Sequence, residues 1–329
     1  MQPTLLTIIL NYKTPDMTLQ AVQAALREMQ GIKGRIIVVD NDSGDGSFEQ
    51  MQQEVIAKGW TKEDRVKVVQ SGRNGGFGAG NNFGILTGLK DNPDVDYIYI
   101  LNSDAFPDKG SIHALVKALQ DNPEIGFAGS YIHGPDGDPH ATSFRFPGVL
   151  SEFEGAIRFG PVSKLLSNYA ISLPIPEATQ KVDWLAGASM MMRRSVLQEI
   201  GLFDERFFLY FEETDLCRRA TKAGHPVLFV RESEVTHIGS VSTGMKTWKR
   251  MPQYWFASRK YYFTKNHGAG YALLVTSAHF VGGLLWRARR LIQSKPQADP
   301  DHFLRDMIVY DLRHFPTRDS ANIPEIPTP

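Results

Sequence analysis

Three acidic residues stand at the start of a predicted helix near the middle of the chain. Glu212, Glu213 and Asp215 follow the aromatic run FFLYF. Carboxylates in a first turn interact favourably with the helix dipole, and Asp215 could pair with Arg218 or Arg219. Neighbouring helical residues point about 100° apart, so one glutamate could project outward as a general base. A purely structural helix start is the alternative.

Two further stretches carry residues that suit a divalent cation. Asn102, Ser103 and Asp104 follow the apolar run DYIYIL, and His237 ends the predicted strand VLFVRESEVTH. Mg²⁺ and Mn²⁺ prefer oxygen ligands and often contact phosphates, and imidazole can complete such a site. A lone N-S-D is equally well explained by an Asx-turn, and a lone histidine by a structural contact. The residues by themselves leave both readings open.

Polar residues follow each of four consecutive strand-like runs. These runs are LLTIILN, RIIVVDN, VKVVQ and DYIYILN, and the polar segments after them contain Asn11, Asp40, residues 71–82 and Asp104. Ligands of open α/β sheets bind at the carboxyl ends of the strands, so the four ends predict one shared polar cleft. The alternative is that Asn, Asp, Gly and Ser are present only as turn formers.

The segment SGRNGGFGAGNN at residues 71–82 predicts a flexible loop that approaches a ligand closely, with Arg73 available for a phosphate. Its glycines lack the G-x-G-x-x-G spacing of dinucleotide-binding loops, and no Gly-Lys-Ser/Thr follows as in a P-loop. These departures disfavour a nicotinamide enzyme and an NTPase.

The elements needed to position these residues alternate along the first half of the chain. Strand-like runs are separated by amphipathic stretches such as DMTLQAVQAALREM and SIHALVKALQDN. This alternation predicts an α/β fold, Rossmann-like, with a mainly parallel central sheet. Residues 135–180 lose periodicity and predict a long loop region over the cleft, and a helix is expected from about Arg194.

Composition places the chain among ordinary globular proteins. The 329 residues are 42% hydrophobic, and 36 Lys or Arg balance 36 Asp or Glu, so no net charge argues for nucleic acid. The single cysteine excludes an internal disulfide and fits a reducing compartment. No signal-like start is present, and the most apolar stretch, residues 271–286, is short for a membrane span. We therefore expect a cytoplasmic protein that could rest on the inner face of the plasma membrane. Its oligomeric state is left open.

The C-terminal part has a different character. Residues 246–295 contain about ten Lys or Arg and no Asp or Glu, interleaved with aromatic residues. Such a pattern suits a surface that rests on anionic lipid headgroups, although a basic solvated helix packed on the first domain is the alternative. The expected organisation is a domain at 1–245, a helical extension at 246–318 and a flexible tail at 319–329.

The chain resembles the family 2 glycosyltransferases, inverting enzymes of the GT-A fold, and especially their bacterial rhamnosyltransferase-like branch. The matching stretches, in the family's order, are TIILNYKTP, IIVVDNDSGDGS, RNGGFGAGNNFGI, YILNSDAFPD, DWLAGASMMMRRSVLQEIGLFDERFFLYFEETDLCRRATKAGH and VTHIGS. Together they cover most of residues 5–240, whereas the tail matches only loosely.

The resemblance implies a site for a nucleotide-diphosphate sugar. Asn11 and Asp40 would hold the base, residues 74–76 (Asn74, Gly75 and Gly76) together with Asn81 would shape the sugar–ribose side, and Arg73 would face the diphosphate. Asn102-Ser103-Asp104 stands where the family has D-x-D, so Asp104 is the expected carboxylate for Mg²⁺ or Mn²⁺, with Asn102 beside it. The first acid of that motif is absent. His237 matches the histidine that completes the metal site.

The resemblance also assigns the acceptor side. Glu213 falls where the family has its catalytic base, commonly the Asp of a Glu-Asp pair, and this departure leaves Glu212 as the other choice. Asp183, Trp184 and Gly187 match the acceptor-facing segment, although Trp184 could equally be a packing residue.

These roles imply a metal-dependent hexosyltransferase that inverts the configuration of the sugar it transfers. The implied donor is dTDP-rhamnose, or otherwise a UDP-sugar, and the implied acceptor is a lipid-linked saccharide in cell-surface polysaccharide assembly. The alternatives are a sugar-phosphate nucleotidyltransferase and a non-catalytic nucleotide-sugar-binding protein. A nucleotidyltransferase would need a basic, Gly-rich loop after the first strand, where this chain has NYKTPDMT.

Overall fold

The computed structural model describes residues 3–239, 244–245, 248–314 and 321–327. The strands in chain order are β1 (Thr4–Asn11), β2 (Lys33–Asp40), β3 (Val66–Gln70), β4 (Tyr97–Asn102), β5 (Ala105–Pro107), β6 (Phe127–His133), β7 (Pro139–His140), β8 (Ser143–Phe144), β9 (Gln180–Val182), β10 (Trp184–Leu185), β11 (Ser189–Arg193) and β12 (Val227–His237). The α-helices are α1 (Pro15–Glu28), α2 (Ser47–Ala57), α3 (Gly76–Asp91), α4 (Ser111–Asp121), α5 (Val149–Ile157), α6 (Gly160–Leu165), α7 (Arg194–Ile200), α8 (Glu212–Lys222), α9 (Gln253–His267), α10 (Ala269–Gln293) and α11 (Phe303–Arg313).

The central sheet has the order β3-β2-β1-β4-β11-β6-β12-β5. Its first four strands are parallel, and their register pairs Asn11 with Asp40 and Leu10 with Asn102. The predicted polar strand ends therefore meet at one edge of the sheet. The expectation of a mainly parallel α/β sheet is confirmed, with β11 inserted antiparallel between β4 and β6.

Both faces of the sheet are covered, which explains why its strands are apolar along their whole length. Leu5 and Ile9 of β1 point into a core shared with α1, α2 and α4. Leu6 and Ile8, on the opposite face, pack with α3, α7 and α8. Alternate residues of one strand thus serve two cores, as the two-residue period of a strand requires.

The Gly-rich segment is a helix from Gly76 onward, so the prediction of a flexible loop through residues 71–82 is wrong beyond its first turn. Gly80, Gly84 and Gly88 recur every four residues and face β1. A Cβ at these positions would lie 2.5 Å from Leu10 Cδ1, 2.7 Å from Ile8 Cγ2 and 2.5 Å from Leu6 Cδ1. The glycines therefore allow close packing of α3 on the sheet.

Residues 135–180 are also more ordered than their sequence pattern indicates. They contain α5 and α6, and α5 packs closely against α10: a Cβ at Gly282 would lie 2.9 Å from the carbonyl oxygen of Phe153. The partner face of α5 is supplied more than a hundred residues later in the chain. Local periodicity could not reveal it.

The C-terminal helices pack onto the first domain. Arg259 of α9 is buried and its Nη2 lies 2.8 Å from Glu152 Oε2 of α5, while Lys265 Nζ lies 2.7 Å from Asp215 Oδ2 of α8. The predicted boundary at residue 246, the end of the predicted extension at 315–318, and residues 319–320 and 328–329 of the predicted tail lie outside the described residues.

The flexible tail predicted from residue 319 is wrong for residues 321–327. Ile326 is buried among the residues of the core on the α3 face. The amide of Leu202 donates to the carbonyl of Pro324 at 2.9 Å, and the amide of Glu205 donates to the carbonyl of Asn322 at 2.8 Å. An isolated Pro-rich segment has no periodicity, so its docking depends on partners elsewhere in the fold.

Candidate active site

The carboxyl ends of β1, β2 and β4 open onto a cleft of about 540 Å³. Nine residues that the sequence singled out line it: Asn74, Gly76, Asn102, Ser103, Asp104, Gly187, Glu212, Glu213 and His237. The cleft therefore brings the expected base and the expected metal ligands together. A reaction in this cleft requires each group to have a defined orientation, and hydrogen bonds and ion pairs supply that orientation.

The start of α8 holds the two glutamates at the cleft. Tyr210 and Phe211 both have a φ of +70°, a left-handed conformation that is strained for residues with side chains. This turn brings Glu212 and Glu213 to the cleft wall, where Glu213 Oε1 accepts a hydrogen bond from the amide of Gly187 at 3.3 Å. Glu212 is 1% exposed, and its Oε2 has no hydrogen-bond partner among the described residues.

The adjacent carboxyls alter each other's protonation. Burial raises the pKa of Glu212 well above its ordinary value, and the charge of Glu213 adds to the effect. Burial also raises the pKa of Glu213, although the amide of Gly187 partly offsets this. The amide of Gly187 favours the ionised form of Glu213, whereas Glu212 Oε2 has no such donor among the described residues. A base with a raised pKa accepts a proton from a hydroxyl more readily than an ordinary carboxylate does.

Asp215 has the structural role that its helical spacing suggests. It is fully buried, and its Oδ2 accepts from Arg219 Nε at 3.0 Å, one turn along α8. Lys265 and Asn266 of α9 bond the same carboxylate. The expected pairing with an arginine of the helix is present for Arg219, and Asp215 fixes α8 rather than facing the cleft.

Asp104 and His237 meet because β5 pairs antiparallel with the end of β12. Asp104 Oδ1 lies 3.1 Å from His237 Nε2, and Asn102 Nδ2 lies 3.4 Å from the same nitrogen. Burial raises the pKa of Asp104, but the hydrogen bond and charge of His237 outweigh it and leave that pKa below its ordinary value. The carboxylate of Asp104 and the imidazole of His237 are groups that can bind Mn²⁺, while Mg²⁺ would rely on the carboxylate oxygens and waters. Asn102 would contribute through Oδ1, since its Nδ2 faces His237.

A second group of ligand-type side chains was missed by the sequence reasoning. Ligand atoms of Asp108, His133 and Glu234 lie within 4.8 Å of one another. Arg231 Nη1 lies 2.5 Å from Glu234 Oε1, so a cation already neutralises this carboxylate. These three residues do not line the cleft. Their contacts are those of an ion-paired cluster between β5, β6 and β12.

Asn11 and Asp40 lie beneath the cleft rather than on its surface. Asp40 is 1% exposed, and its Oδ1 accepts from Asn11 Nδ2 at 2.8 Å and from Ser43 Oγ at 2.6 Å. Neither residue is among those that line the cleft, and their contact with a base stays a prediction. Asn41 lines it instead, and its Nδ2 donates to Asn74 Oδ1 at 3.1 Å. Asn41 was visible in the sequence only as one of several polar residues.

Three other expected donor-binding residues also lie off the cleft surface. Arg73 is directed to the surface, where its Nη2 lies 2.9 Å from Glu205 Oε2, and its role at a phosphate stays a prediction. Gly75 precedes α3, whose start at Gly76 is on the cleft wall. Asn81 is buried in α3 with Nδ2 donating to the carbonyl of Phe77, because the segment is a helix rather than a loop.

The acceptor-facing segment divides into two parts. Gly187 lines the cleft, whereas Asp183 and Trp184 do not. Trp184 belongs to β10, which pairs with β8 in a separate two-stranded sheet, and Asp183 directly precedes that strand. The Trp184 ring stacks on Phe144 at 4.2 Å between centroids, and its Nε1 donates to the carbonyl of Arg145. Asp183 accepts from the amide of Phe146. Trp184 therefore has the contacts of a packing residue, which is the alternative that the sequence left open.

The cleft also has an aromatic side that the site prediction did not include. Tyr12 and Phe77 line it from the first domain, and Phe208, Tyr210 and Tyr254 line it near α8 and α9. Tyr254 belongs to the extension that was assigned to a separate unit. The sequence shows many aromatic residues in FFLYF and in the C-terminal part. Their number does not indicate which of the side chains point into the cleft.

Comparison with known proteins agrees with this architecture. The family model described as glycosyl transferase family 2 matches residues 7–201. An N-acetylglucosaminyl-diphospho-decaprenol L-rhamnosyltransferase of Mycobacterium tuberculosis is 30% identical over 217 residues, covering 64% of this chain and 68% of the relative. Rhamnosyltransferase WbbL of Escherichia coli is 28% identical over 165 residues, covering 49% of this chain and 60% of the relative.

Solved structures show the same fold at low sequence identity. A mannosyltransferase from Pyrobaculum calidifontis, in complex with GDP-Man and Mn²⁺, superposes with a TM-score of 0.56 at 14% identity. The match covers 95% of this chain and 80% of that one. Together with the family match, it defines a GT-A glycosyltransferase. The chain belongs to glycosyl transferase family 2, and within it resembles the rhamnosyltransferases.

Proposed function

We propose that this glycosyltransferase moves a hexose from a nucleotide-diphosphate donor to a saccharide hydroxyl with inversion, using Glu213 as the base. One observation carries the proposal: Glu213, Asp104 and His237 line a single cleft although they come from distant parts of the chain. A single displacement requires a base for the acceptor hydroxyl and a group that neutralises the leaving diphosphate in one site.

The residues of the cleft divide the work of the reaction. Asp104 and His237, with Asn102, would hold Mn²⁺ or Mg²⁺, which neutralises the leaving diphosphate when bound. Gly76 marks the N-terminal end of α3 on the cleft wall, where the helix dipole favours an anion. Glu213 takes the proton of the acceptor hydroxyl as its oxygen bonds to the anomeric carbon and the bond to the diphosphate breaks on the opposite face. Configuration at that carbon is therefore inverted.

For the donor we propose dTDP-rhamnose, with UDP-sugars as the alternative. The support is the similarity to rhamnosyltransferases of two bacteria. Tyr12 and Asn41 are the cleft residues at the ends of β1 and β2 that could receive a base in place of the buried Asn11 and Asp40. A panel of nucleotide sugars, with and without Mn²⁺ or Mg²⁺, tests this by thermal shift and donor hydrolysis.

The base is tested by Glu213→Gln, with Glu199→Gln as the matched control on the exposed surface. Loss of a general base lowers transfer by about 10²- to 10⁴-fold. Donor affinity should stay within about twofold, because the residue does not act on the diphosphate. Transfer at the wild-type rate would remove Glu213 from the mechanism.

For the acceptor we propose a lipid-linked saccharide, reached from an anionic membrane surface at the cytoplasmic face. α10 is long and apolar enough to cross a membrane by length and composition alone, and 33% of its most apolar window is buried. Its exposed side carries Leu284, Leu285, Leu291 and Ile292, and Arg290 and Lys295 lie at its basic end. An apolar row beside cations suits adsorption to acidic headgroups.

Vesicle flotation tests this surface. Wild-type protein should float with phosphatidylglycerol vesicles and less with phosphatidylcholine vesicles, and the double substitution Leu291→Ser/Ile292→Ser should abolish flotation. Ile56→Ser, which changes an exposed apolar residue on α2, is the control and should float normally. If the double variant floats as well as the wild-type protein, α10 is not the surface that binds the membrane.

A further inference from the structure

Four aromatic rings stand together beside the glutamates of α8. The aromatic wall consists of Phe208, Tyr210, Trp248 and Tyr254. Ring centroids of Phe208 and Tyr254 are 5.4 Å apart, and those of Tyr210 and Tyr254 are 6.4 Å apart with an interplanar angle of 20°. Trp248 meets Tyr210 edge-on at 6.0 Å. Phe208, Tyr210 and Tyr254 line the same cleft as Glu213.

The backbone under this wall is fixed from two sides. Ser258 Oγ, one turn after Tyr254 in α9, donates to the carbonyl of Leu209 at 2.9 Å. The amide of Phe77 donates to the carbonyl of Phe208 at 3.0 Å. The approach is so close that a Cβ at Gly76 would lie 1.8 Å from this carbonyl oxygen. The backbone that carries Phe208 and Leu209 is therefore held by contacts with α3 and α9, and a preorganised backbone lowers the entropic cost of binding.

Glu212 adds an unsatisfied polar group beside the wall. Its side chain is 1% exposed and lines the cleft, and Oε2 has no partner among the described residues. A buried carboxyl oxygen without a hydrogen bond is unfavourable, so a ligand hydroxyl that supplies one gains affinity. A flat ring surface next to a lone hydrogen-bonding group calls for a ligand that is apolar on one face and hydroxylated at its edge.

A pyranose ring has this chemistry. Its axial C–H groups carry partial positive charge and pack on the negative face of an aromatic ring, while its equatorial hydroxyls point outward. The acceptor must place a hydroxyl at Glu213, and three rings of the wall line the same cleft as Glu213. The donor's diphosphate belongs instead with Asp104 and His237, at the strand ends.

We propose that the aromatic wall and Glu212 form the acceptor subsite, which binds a pyranose ring of the acceptor saccharide and presents one hydroxyl to Glu213. Tyr254 packs on the sugar's C–H face, and Glu212 forms a hydrogen bond with a hydroxyl beside the reacting one. This inference rests on the proposed function, and it moves acceptor recognition from Asp183 and Trp184 to the turn before α8 and to Trp248 and Tyr254 of the helical extension.

Saturation-transfer NMR tests the subsite with an N-acetylglucosaminyl diphosphate that carries a short alkyl chain as the probe. Wild-type protein, with nucleoside diphosphate bound, should transfer saturation to the C–H groups of one sugar face. Tyr254→Ala should weaken probe binding about tenfold, the upper part of the range for one aromatic contact. Tyr254→Phe, which keeps the ring, should stay within about twofold of wild type. Glu212→Leu should weaken the probe and leave the nucleotide unaffected.

The controls separate failure of the subsite from failure of the proposed function. Tyr169→Ala, at an exposed ring outside the cleft, should bind the probe normally. Wild-type protein could bind and hydrolyse a nucleotide sugar and yet show no saturation transfer to the sugar ring of the probe. In that case the subsite is wrong, while the enzyme assignment stands. A Tyr254→Ala variant that loses donor affinity instead would make the wall a nucleobase site. Absence of any nucleotide-sugar binding by wild-type protein would overturn the proposed function itself.

Discussion

Glu212 and Glu213 are adjacent in sequence but differ in what surrounds them. Glu213 is half-buried and receives the amide of Gly187, whereas Glu212 is buried with an unpaired oxygen. Burial raises the pKa of both carboxyls, so the pair holds its protons more strongly than two exposed glutamates do. The environment, rather than the residue type, assigns the base.

The raised pKa of Glu213 predicts the acid limb of the pH profile. Only the ionised carboxylate accepts a proton, so kcat/KM should fall as pH decreases through a pKa above the ordinary value of about 4.3. A pH–rate profile with saturating donor measures this limb. A rate that is constant down to the ordinary carboxyl range would contradict the raised pKa of Glu213.

The raised pKa of Glu212 predicts a pH-dependent stability. The folded-state pKa lies above the unfolded one, so the contribution of Glu212 is fully present below the unfolded pKa and is lost as pH rises through the folded pKa. Glu212→Gln removes this dependence. Relative to wild type, the variant should gain free energy of unfolding as pH rises. Urea titrations across pH check it, and a parallel shift at all pH values would argue against the buried carboxyl as the cause.

At the scale of elements, α3 shows how sequence composition can mislead. Glycine weakens an isolated helix, so a Gly-rich segment reads as a loop. Here the absent side chains allow α3 to lie against β1 and β2, and the gain in packing exceeds the loss in helix propensity. The same close packing brings Gly76 to the cleft wall.

Gly84→Ala tests this packing. The added Cβ would lie 2.7 Å from Ile8 Cγ2 and 2.8 Å from Val39 Cγ2, both in the buried sheet. Overpacking of this kind lowers the free energy of unfolding by about 1–3 kcal/mol. Gly155→Ala in α5, where a Cβ would meet nothing within 4 Å, should be neutral or stabilising. Equal stability of the two variants, measured by urea unfolding, would refute the packing role.

At the scale of the whole molecule, the C-terminal segments complete the catalytic domain. Lys265 of α9 bonds both Asp204 and Asp215, so the extension fixes the residues on either side of the aromatic turn. The amide of Asn322 donates to Asp204 Oδ1, which brings the last described segment to the same point. Residues that seemed separable by composition thus support the helix that carries Glu213.

Ile326→Ala tests the docking of the last segment. Because the side chain is buried in the core, its truncation should lower the free energy of unfolding by about 2–5 kcal/mol. Ile292→Ala, at a position that is 84% exposed, is the matched control and should change stability by at most about 0.5 kcal/mol. Thermal and urea unfolding measure both, and a stable Ile326→Ala variant would show that the segment docks weakly.

The sequence by itself determined the α/β class, the polar strand ends and the identity of the groups available for chemistry. The periodicity of a strand and the polar residues at its end are local properties of the sequence. The family was indicated by the resemblance of several short motifs. Asp104, His237 and Glu213 could therefore be named in advance as residues of one cleft.

Only the tertiary structure decided which polar groups reach that cleft. Asn11 and Asp40 satisfy each other below its floor, Arg73 pairs with Glu205, and Trp184 stacks on Phe144. Tyr254 arrives from a helix that composition had set apart. The physical reason is that burial and hydrogen-bond partners are set by residues distant in the chain, so they cannot be read from local spacing.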